Sequence, residues 1–414
     1  MSELGNHMLI FLQGIGQKLS ERMESFHFTH AMNSFRREVN VELGSDTVKQ
    51  HLRKDIGGIM VLPVNWRATL KMEEGGYRDE PEDPNLNRYK ISDITPDSLP
   101  SVRGIISDVM LDVPYYLSDH HDTLIAAVIR EANRVHRLWC LNNPGFEQYG
   151  RVHVLGHSLG SVMAVDVLSK QPTFVDSKLA LEDPAEPSHF SFNTTNLYLC
   201  GSPAGLFLLL KEANLVPRRG RSQTSPSDPN SDTSNASASV CGEQNTYGCL
   251  AIDNLYNIIN PYDPVALKLN ATIDTIYAAS LKSTHIPSTT TSWFSFSNPL
   301  RSGSSSTTPS DSTLKAPPLP RLPSNVELET HNFTREELAE KRFALLNDNG
   351  TVDFFLRYGG GALEIQYLTM LGAHSSYWVS KDFTRFIVLE TGRKAGREGT
   401  LEVCRAVKRR GGPK

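Results

Sequence analysis

Residues Val152–Ala164 read V-H-V-L-G-H-S-L-G-S-V-M-A, and the rest of the chain is organised around them. The first four are apolar or aromatic and suit the end of a buried strand. Gly156-His157-Ser158-Leu159-Gly160 then fits G-x-S-x-G. From Leu159 the apolar period changes, and Val162, Met163, Val165 and Val167 suit a helix that stops before Pro172. Strand, tight turn and helix in that order are what a nucleophile elbow requires. The two glycines have a steric task, because so sharp a turn strains the nucleophile's backbone and a flanking side chain would collide. A helix starting directly after Ser158 brings partial positive charge to the place where an oxyanion would form.

The flanking sequence supplies the matching scaffold. His7–Leu12 reads as a buried strand running into Gln13-Gly14-Ile15-Gly16-Gln17, where a hydrolase normally keeps its second oxyanion donor. The backbone N–H of Gly14 or Ile15 is the candidate to join that of Leu159. Glu21–Leu43 suits a helix or helix pair, and Ile59–Trp66 a strand whose Pro63 marks an edge or an end. Residues 67–98 are polar and acidic and read as a loop or insertion. A helix near Thr123–Leu141 leads into the nucleophile strand. Further strands are expected at Asn196–Cys200, Leu255–Asn260 and Val352–Arg357, with a closing helix at Asp382–Leu389. This alternation favours an α/β-hydrolase-like architecture, a mostly parallel sheet with helices on both faces.

A serine hydroxyl needs a histidine to take its proton and a carboxylate to orient that histidine. Asp263 directly follows the strand Leu255–Asn260, in a turn stiffened by Pro261 and Pro264. Asp353 competes for the role but falls within a strand pattern, so placement favours Asp263 without excluding Asp353. His374 lies late in the chain, in a Gly-containing loop beside Tyr377 and Trp378, and is the candidate base. His157 reads as a packing or orienting residue.

Composition narrows the setting. The net charge of −4 gives no reason to expect a nucleic-acid partner. Five scattered cysteines without C-x-x-C spacing argue against a disulfide framework or structural zinc, and suit a reducing compartment. The chain shows neither a signal peptide nor an apolar run of membrane-spanning length. The expectation is a cytoplasmic protein, soluble or peripherally attached to intracellular membranes. Low-complexity insertions are expected at about 217–246 and 284–330. A basic tail from 392 to 414 follows a catalytic domain over 1–391, and could lie against anionic headgroups. Leu206–Leu210 reads as an acyl pocket, a lid or a buried helix.

Taken together, Gly14-Ile15-Gly16-Gln17, Val64-Asn65-Trp66-Arg67, Gly156–Ser161, Gly201-Ser202-Pro203, Asn260–Ala266, Val352-Asp353 and His374 with Tyr377-Trp378 and Asp382 resemble the DDHD-domain intracellular phospholipases A1. The resemblance spans about residues 7–391, with the DDHD segment at about 190–391. The four residues that name the family fall on Asp263, Asp353, His374 and Asp382. It implies hydrolysis of the sn-1 acyl ester of phosphatidic acid or a related phospholipid at a membrane, by Ser158, Asp263 and His374. No cofactor is then required. It also carries a different suggestion, that Asp263, Asp353, His374 and Asp382 bind a divalent metal. His374 cannot readily be both ligand and base, which makes Asp353 and Asp382 supporting carboxylates. The chain departs from the pattern at Gln13-Gly14, where His-Gly is usual. The pattern also usually follows a long N-terminal region, so the expectation is either that a helical lipid- or partner-binding module is absent or that the chain is an incomplete gene product.

Overall fold

Strands that are apolar at both odd and even positions need cover on both faces. In the computed structural model, which describes residues 6–14, 28–66, 72–73, 76–77, 113–114, 116–221, 240–289, 334–357 and 373–409, they get it. The strands are β1 (His7–Gln13), β2 (Ile59–Val64), β3 (Arg151–His157), β4 (Thr194–Cys200), β5 (Ile252–Ile259), β6 (Thr284–His285) and β7 (Asp353–Phe355). They form one seven-stranded sheet in the order β6-β7-β5-β4-β3-β1-β2, with every pairing parallel. Pro63, which has no N–H to give, lies on β2 at the sheet edge, opposite Phe11.

Alternation along each strand divides the core in two. Met8, Ile10 and Leu12 of β1 point to one cluster, and Leu9 and Phe11 to the other. On β4, Leu197 and Leu199 likewise oppose Tyr198 and Cys200. Four helices cover the first face: α2 (His121–Asn142), α3 (Leu159–Lys170), α4 (Ala204–Leu210) and α5 (Arg335–Leu346). The second is covered by α1 (Phe28–Gly44), through Met32, Phe35 and Val39, and by α6 (Lys381–Gly392), through Phe383, Phe386 and Ile387. This is the α/β architecture read from the sequence. Among the described residues no helix is long and apolar enough to cross a membrane. None of the five cysteines forms a disulfide, and four of them are buried.

The nucleophile helix α3 is buried from Leu159 to Ser169, and its one acid is consequently well partnered. Asp166 accepts from His121 Nε2 at 2.8 Å and from the Tyr116 hydroxyl at 2.9 Å, and lies 3.1 Å from Lys170 Nζ and 3.7 Å from Lys211 Nζ. Burial alone would raise the Asp166 pKa, but His121 and Lys170 hold it well below the carboxylate range. The bond to Asp166 conversely raises that of His121, against its partial burial. A histidine with a raised folded pKa contributes fully below its ordinary value and loses that contribution as pH rises through the folded one. The melting temperature of His121→Ala should therefore fall below wild type at pH 6 and converge on it by pH 9 in thermal scans.

Three boundaries differ from the sequence expectation. Residues 217–221 and 240–246 belong to the fold, because Arg218 and Arg221 are buried and bonded into it. The Arg218 guanidinium donates to the carbonyls of Leu168, Ser169, Gln171 and Cys249 at 2.6–3.2 Å, so it caps the negative end of α3. The remainder of that insertion, 222–239, lies outside the described residues. Residues 284–289 likewise form β6 and a following turn with Ile286 buried, and 290–330 lie outside the description. The basic tail is also folded as far as residue 409. Arg393 is buried against Glu390 and Asp348, Leu401 and Cys404 enter the second cluster, and Lys408 pairs with Glu336 and Glu340. Those cations serve the protein's own carboxylates. The expected helix over Glu21–Leu43 is described from Phe28 to Gly44, and residues 21–27, 67–71, 74–75 and 78–98 lie outside the description.

Candidate active site

Ser158 stands between β3 and α3 at φ 53°, ψ −131°, the strained geometry of a nucleophile elbow. The flanking glycines are required sterically. A Cβ on Gly156 would lie 2.6 Å from Ser161 Cα, and one on Gly160 would strike the Leu12 carbonyl oxygen. The turn is braced by the Ser158 N–H donating to the Cys200 carbonyl at 3.1 Å. The Ser161 hydroxyl also reaches Ser202 Oγ at 2.6 Å.

Asp263 and His374 meet at the same edge of the sheet. His374 Nδ1 lies 3.0 Å from both carboxylate oxygens of Asp263. Asp263 Oδ1 further accepts from the Val265 N–H at 2.9 Å, and Oδ2 from the Tyr377 hydroxyl at 2.9 Å. Burial acts to raise the Asp263 pKa, but His374 and these donors outweigh it and hold the carboxyl below its ordinary value. An anionic Asp263 keeps the His374 proton on Nδ1 and leaves a lone pair on Nε2. That Nε2 is buried and has no hydrogen-bond partner among the described residues. The turn after β4 brings the pair towards the serine: Cys200 holds Ser158, and a Cβ on Gly201 would lie 2.9 Å from His374 Cε1 and Asp263 Oδ2. Gly201, at φ +57°, is therefore confined to glycine on two counts.

The oxyanion loop differs from expectation. The Gly14 N–H continues the β1–β3 ladder by donating to the His157 carbonyl at 3.1 Å, so it is not free for an oxyanion. Gly14 instead keeps space open, because a Cβ there would lie 2.9 Å from Leu159 N. The Leu159 N–H is the first of α3 and has no intrahelical acceptor. Ile15, the other candidate donor, lies outside the described residues.

The carboxylates of the suggested metal set are dispersed. Asp353 Oδ1 accepts from Asn257 Nδ2 and the Leu269 N–H, both at 2.8 Å, and Oδ2 from the Asn270 N–H at 3.0 Å. Burial nevertheless raises its pKa. Asp382, in the first turn of α6, accepts from the Thr289 N–H at 2.6 Å. Each is committed to a separate loop, and among the described residues no three His, Cys, Asp or Glu side chains gather as a donor set. These residues do not fit one metal site, and no step is derived through one.

Two partners of the site escaped the sequence reading. Tyr377, three residues past the base, braces the acid's loop, donating to Asp263 while accepting the Asn260 N–H at 3.0 Å. Asn260 Nδ2 in turn reaches Ser376 Oγ at 3.1 Å. The available signal was the i, i+3 spacing of His374 and Tyr377, which a single helical turn places on one side.

The DDHD-domain profile matches residues 190–316 and 297–391. A probable mitochondrial phospholipase of Schizosaccharomyces pombe is 27% identical over 93% of this chain and 54% of its own length. A probable mitochondrial phospholipase of Saccharomyces cerevisiae is 24% identical over 93% of this chain and 49% of its own. The human triacylglycerol hydrolase DDHD2 is 31% identical, over 40% of this chain and 21% of its own. The chain thus spans about half the length of the two yeast relatives. No solved structure matches. The chain belongs to the DDHD-domain family.

Proposed function

We propose that this protein is a serine phospholipase of the A1 type, cleaving the sn-1 acyl ester of phosphatidic acid or a related glycerophospholipid at a membrane surface. The observation that carries the reading is the Nε2 of His374, without a hydrogen-bond partner among the described residues and fixed by Asp263 against Gly201, in the turn whose Cys200 carbonyl holds the strained Ser158. Ser158 Oγ attacks the ester carbonyl carbon as His374 Nε2 takes its proton. The lysophospholipid leaves as its alcohol, carrying that proton, and an acyl-serine remains. Water attacks this ester with the same base, releasing the fatty acid and restoring Ser158. The Leu159 N–H stabilises the tetrahedral oxyanion.

Membrane contact has support at the same edge of the sheet. The outer face of α4, just past Gly201, exposes Leu206, Leu209 and Leu210 at 37, 74 and 57%. Ala204, Phe207 and Leu208 anchor its other face in the core. The helix is thus half buried, with its outer face available to an acyl layer. Peripheral attachment from the cytoplasm is the reading that the sequence favours. The two yeast relatives are named mitochondrial, which makes mitochondria the competing location. The DDHD2 name makes a neutral acylglycerol the competing substrate.

The test presents phosphatidylcholine vesicles containing phosphatidic acid, with distinguishable sn-1 and sn-2 chains, beside triacylglycerol droplets. Release of the sn-1 chain, undiminished by chelator, is expected. Leu209→Ser/Leu210→Ser should lower vesicle hydrolysis by about tenfold or more while sparing a short soluble ester, as lost burial of two leucines requires. Release that fails in chelator and returns with added cation would overturn the mechanism. Release confined to droplets would overturn the substrate assignment.

A further inference from the structure

We infer, resting on the serine reading above, that His157 is a positioning residue whose side chain clamps the base loop to the nucleophile strand. His157 is the last residue of β3 and the immediate neighbour of Ser158. Its backbone is held on both sides, by its carbonyl accepting from Gly14 and by its register with Cys200 on β4. Its buried side chain crosses to the other half of the site, where Nε2–H donates to the backbone carbonyl of His374 at 2.8 Å. The other ring nitrogen, Nδ1, is buried without a partner among the described residues. The two rings lie 4.7 Å apart, and the edge of Trp378 closes on His157 at 5.2 Å.

These contacts divide the work of holding the base. The bonds from Tyr377 and Asn260 tie the His374 loop to the acid's loop. The His157 bond ties that loop to the nucleophile. A base must come within about 2.6–3.2 Å of the proton it takes. A misplacement of 1 Å can cost about 10²-fold in rate. With one end of the clamp adjacent to Ser158 and the other on the backbone of His374, little chain remains through which error can accumulate.

An imidazole suits the position because it donates while remaining neutral. Burial, helped by the neighbouring His374, pushes the His157 pKa down to about 3. A cation 4.7 Å away would oppose the imidazolium that His374 becomes during attack. His157 therefore supplies a fixed N–H and exchanges no proton.

The test compares His157→Phe, which keeps ring volume without the donor, with His157→Gln, whose amide can reach the same carbonyl. Turnover of a short soluble ester and labelling of Ser158 by a fluorophosphonate are both measured. Phe should lower kcat and labelling by about 10- to 100-fold with KM nearly unchanged, and Gln should recover most of the loss. Wild-type labelling by the Phe variant, or a Gln variant no better than Phe, would overturn the assignment. Nitrogen NMR of wild-type histidines gives a readout independent of variant folding. His157 should remain a neutral Nε2–H tautomer from pH 5 to 8, and a His157 titrating in that range would overturn the clamp. Failure of the fluorophosphonate to label wild-type Ser158 would instead reject the serine reading, while the NMR still tests the clamp.

Discussion

Ser158→Ala should abolish fatty-acid release, by about 10⁴- to 10⁶-fold at equal folded concentration, because no other group then carries the acyl intermediate. The protein should remain folded. The bond bracing the elbow uses the backbone N–H of residue 158, and alanine occupies its positive φ no worse than serine does. Vesicle binding should also persist, since the apolar face of α4 is unchanged. A second loss, His374→Ala, should add little to the first, because nucleophile and base act as a unit. Fatty-acid release by Ser158→Ala within tenfold of wild type would remove the serine from the mechanism.

Asp263→Asn should lower turnover by about 10⁴-fold, the cost of leaving the base in the wrong tautomer. The amide cannot hold a proton on His374 Nδ1 as a carboxylate does, so Nε2 ceases to be the bare nitrogen. Its pH signature follows from the lowered folded pKa. The carboxylate stabilises the fold above its ordinary titration range, and that contribution disappears as pH falls through the folded value. The asparagine variant should accordingly lose less stability than wild type on acidification. Asp353→Ala should do the reverse. Three buried donors lose their acceptor, at roughly 2–5 kcal/mol in total, while turnover per folded molecule stays within a few-fold of wild type. Thermal melts and activity at matched folded fraction separate the two aspartates. Equal catalytic losses in both would reject this division of roles.

What the sequence made legible was local or periodic. The elbow could be read because strand, G-x-S-x-G and helix are contiguous, and the two-faced strands because their apolar runs are unbroken. Asp263 and His374 are candidates from order along the chain; the fold sets Asp263 just past β5 and pairs it with His374. Long-range polar pairing was not legible. Nothing in the composition of 217–246 says that Arg218 caps a helix about fifty residues earlier. Nothing in the basic run after 392 says that Arg393 is buried against two acids. Charge density suggested solvent, whereas the fold supplies partners that are remote in sequence. The Gly14 donor was not legible for a related reason: a Gly-rich turn signals close backbone approach, but not which N–H the sheet already uses, while the alternative donor Ile15 lies outside the described residues.

The ribbon that follows α4 has an architectural consequence. Val216 and Pro217 pair with Cys249 and Leu250, and the Gly242 N–H donates to the Pro217 carbonyl at 2.8 Å. The two ends of the 222–239 stretch are thus stitched together before that stretch departs and after it returns. In general, doubling the length of a loop joined to such a closed base costs only about 0.6 kcal/mol. The stitch fixes where the chain leaves the described fold and where it re-enters, so a change between its two ends is not passed on to the helix that carries the nucleophile. It works as a gasket.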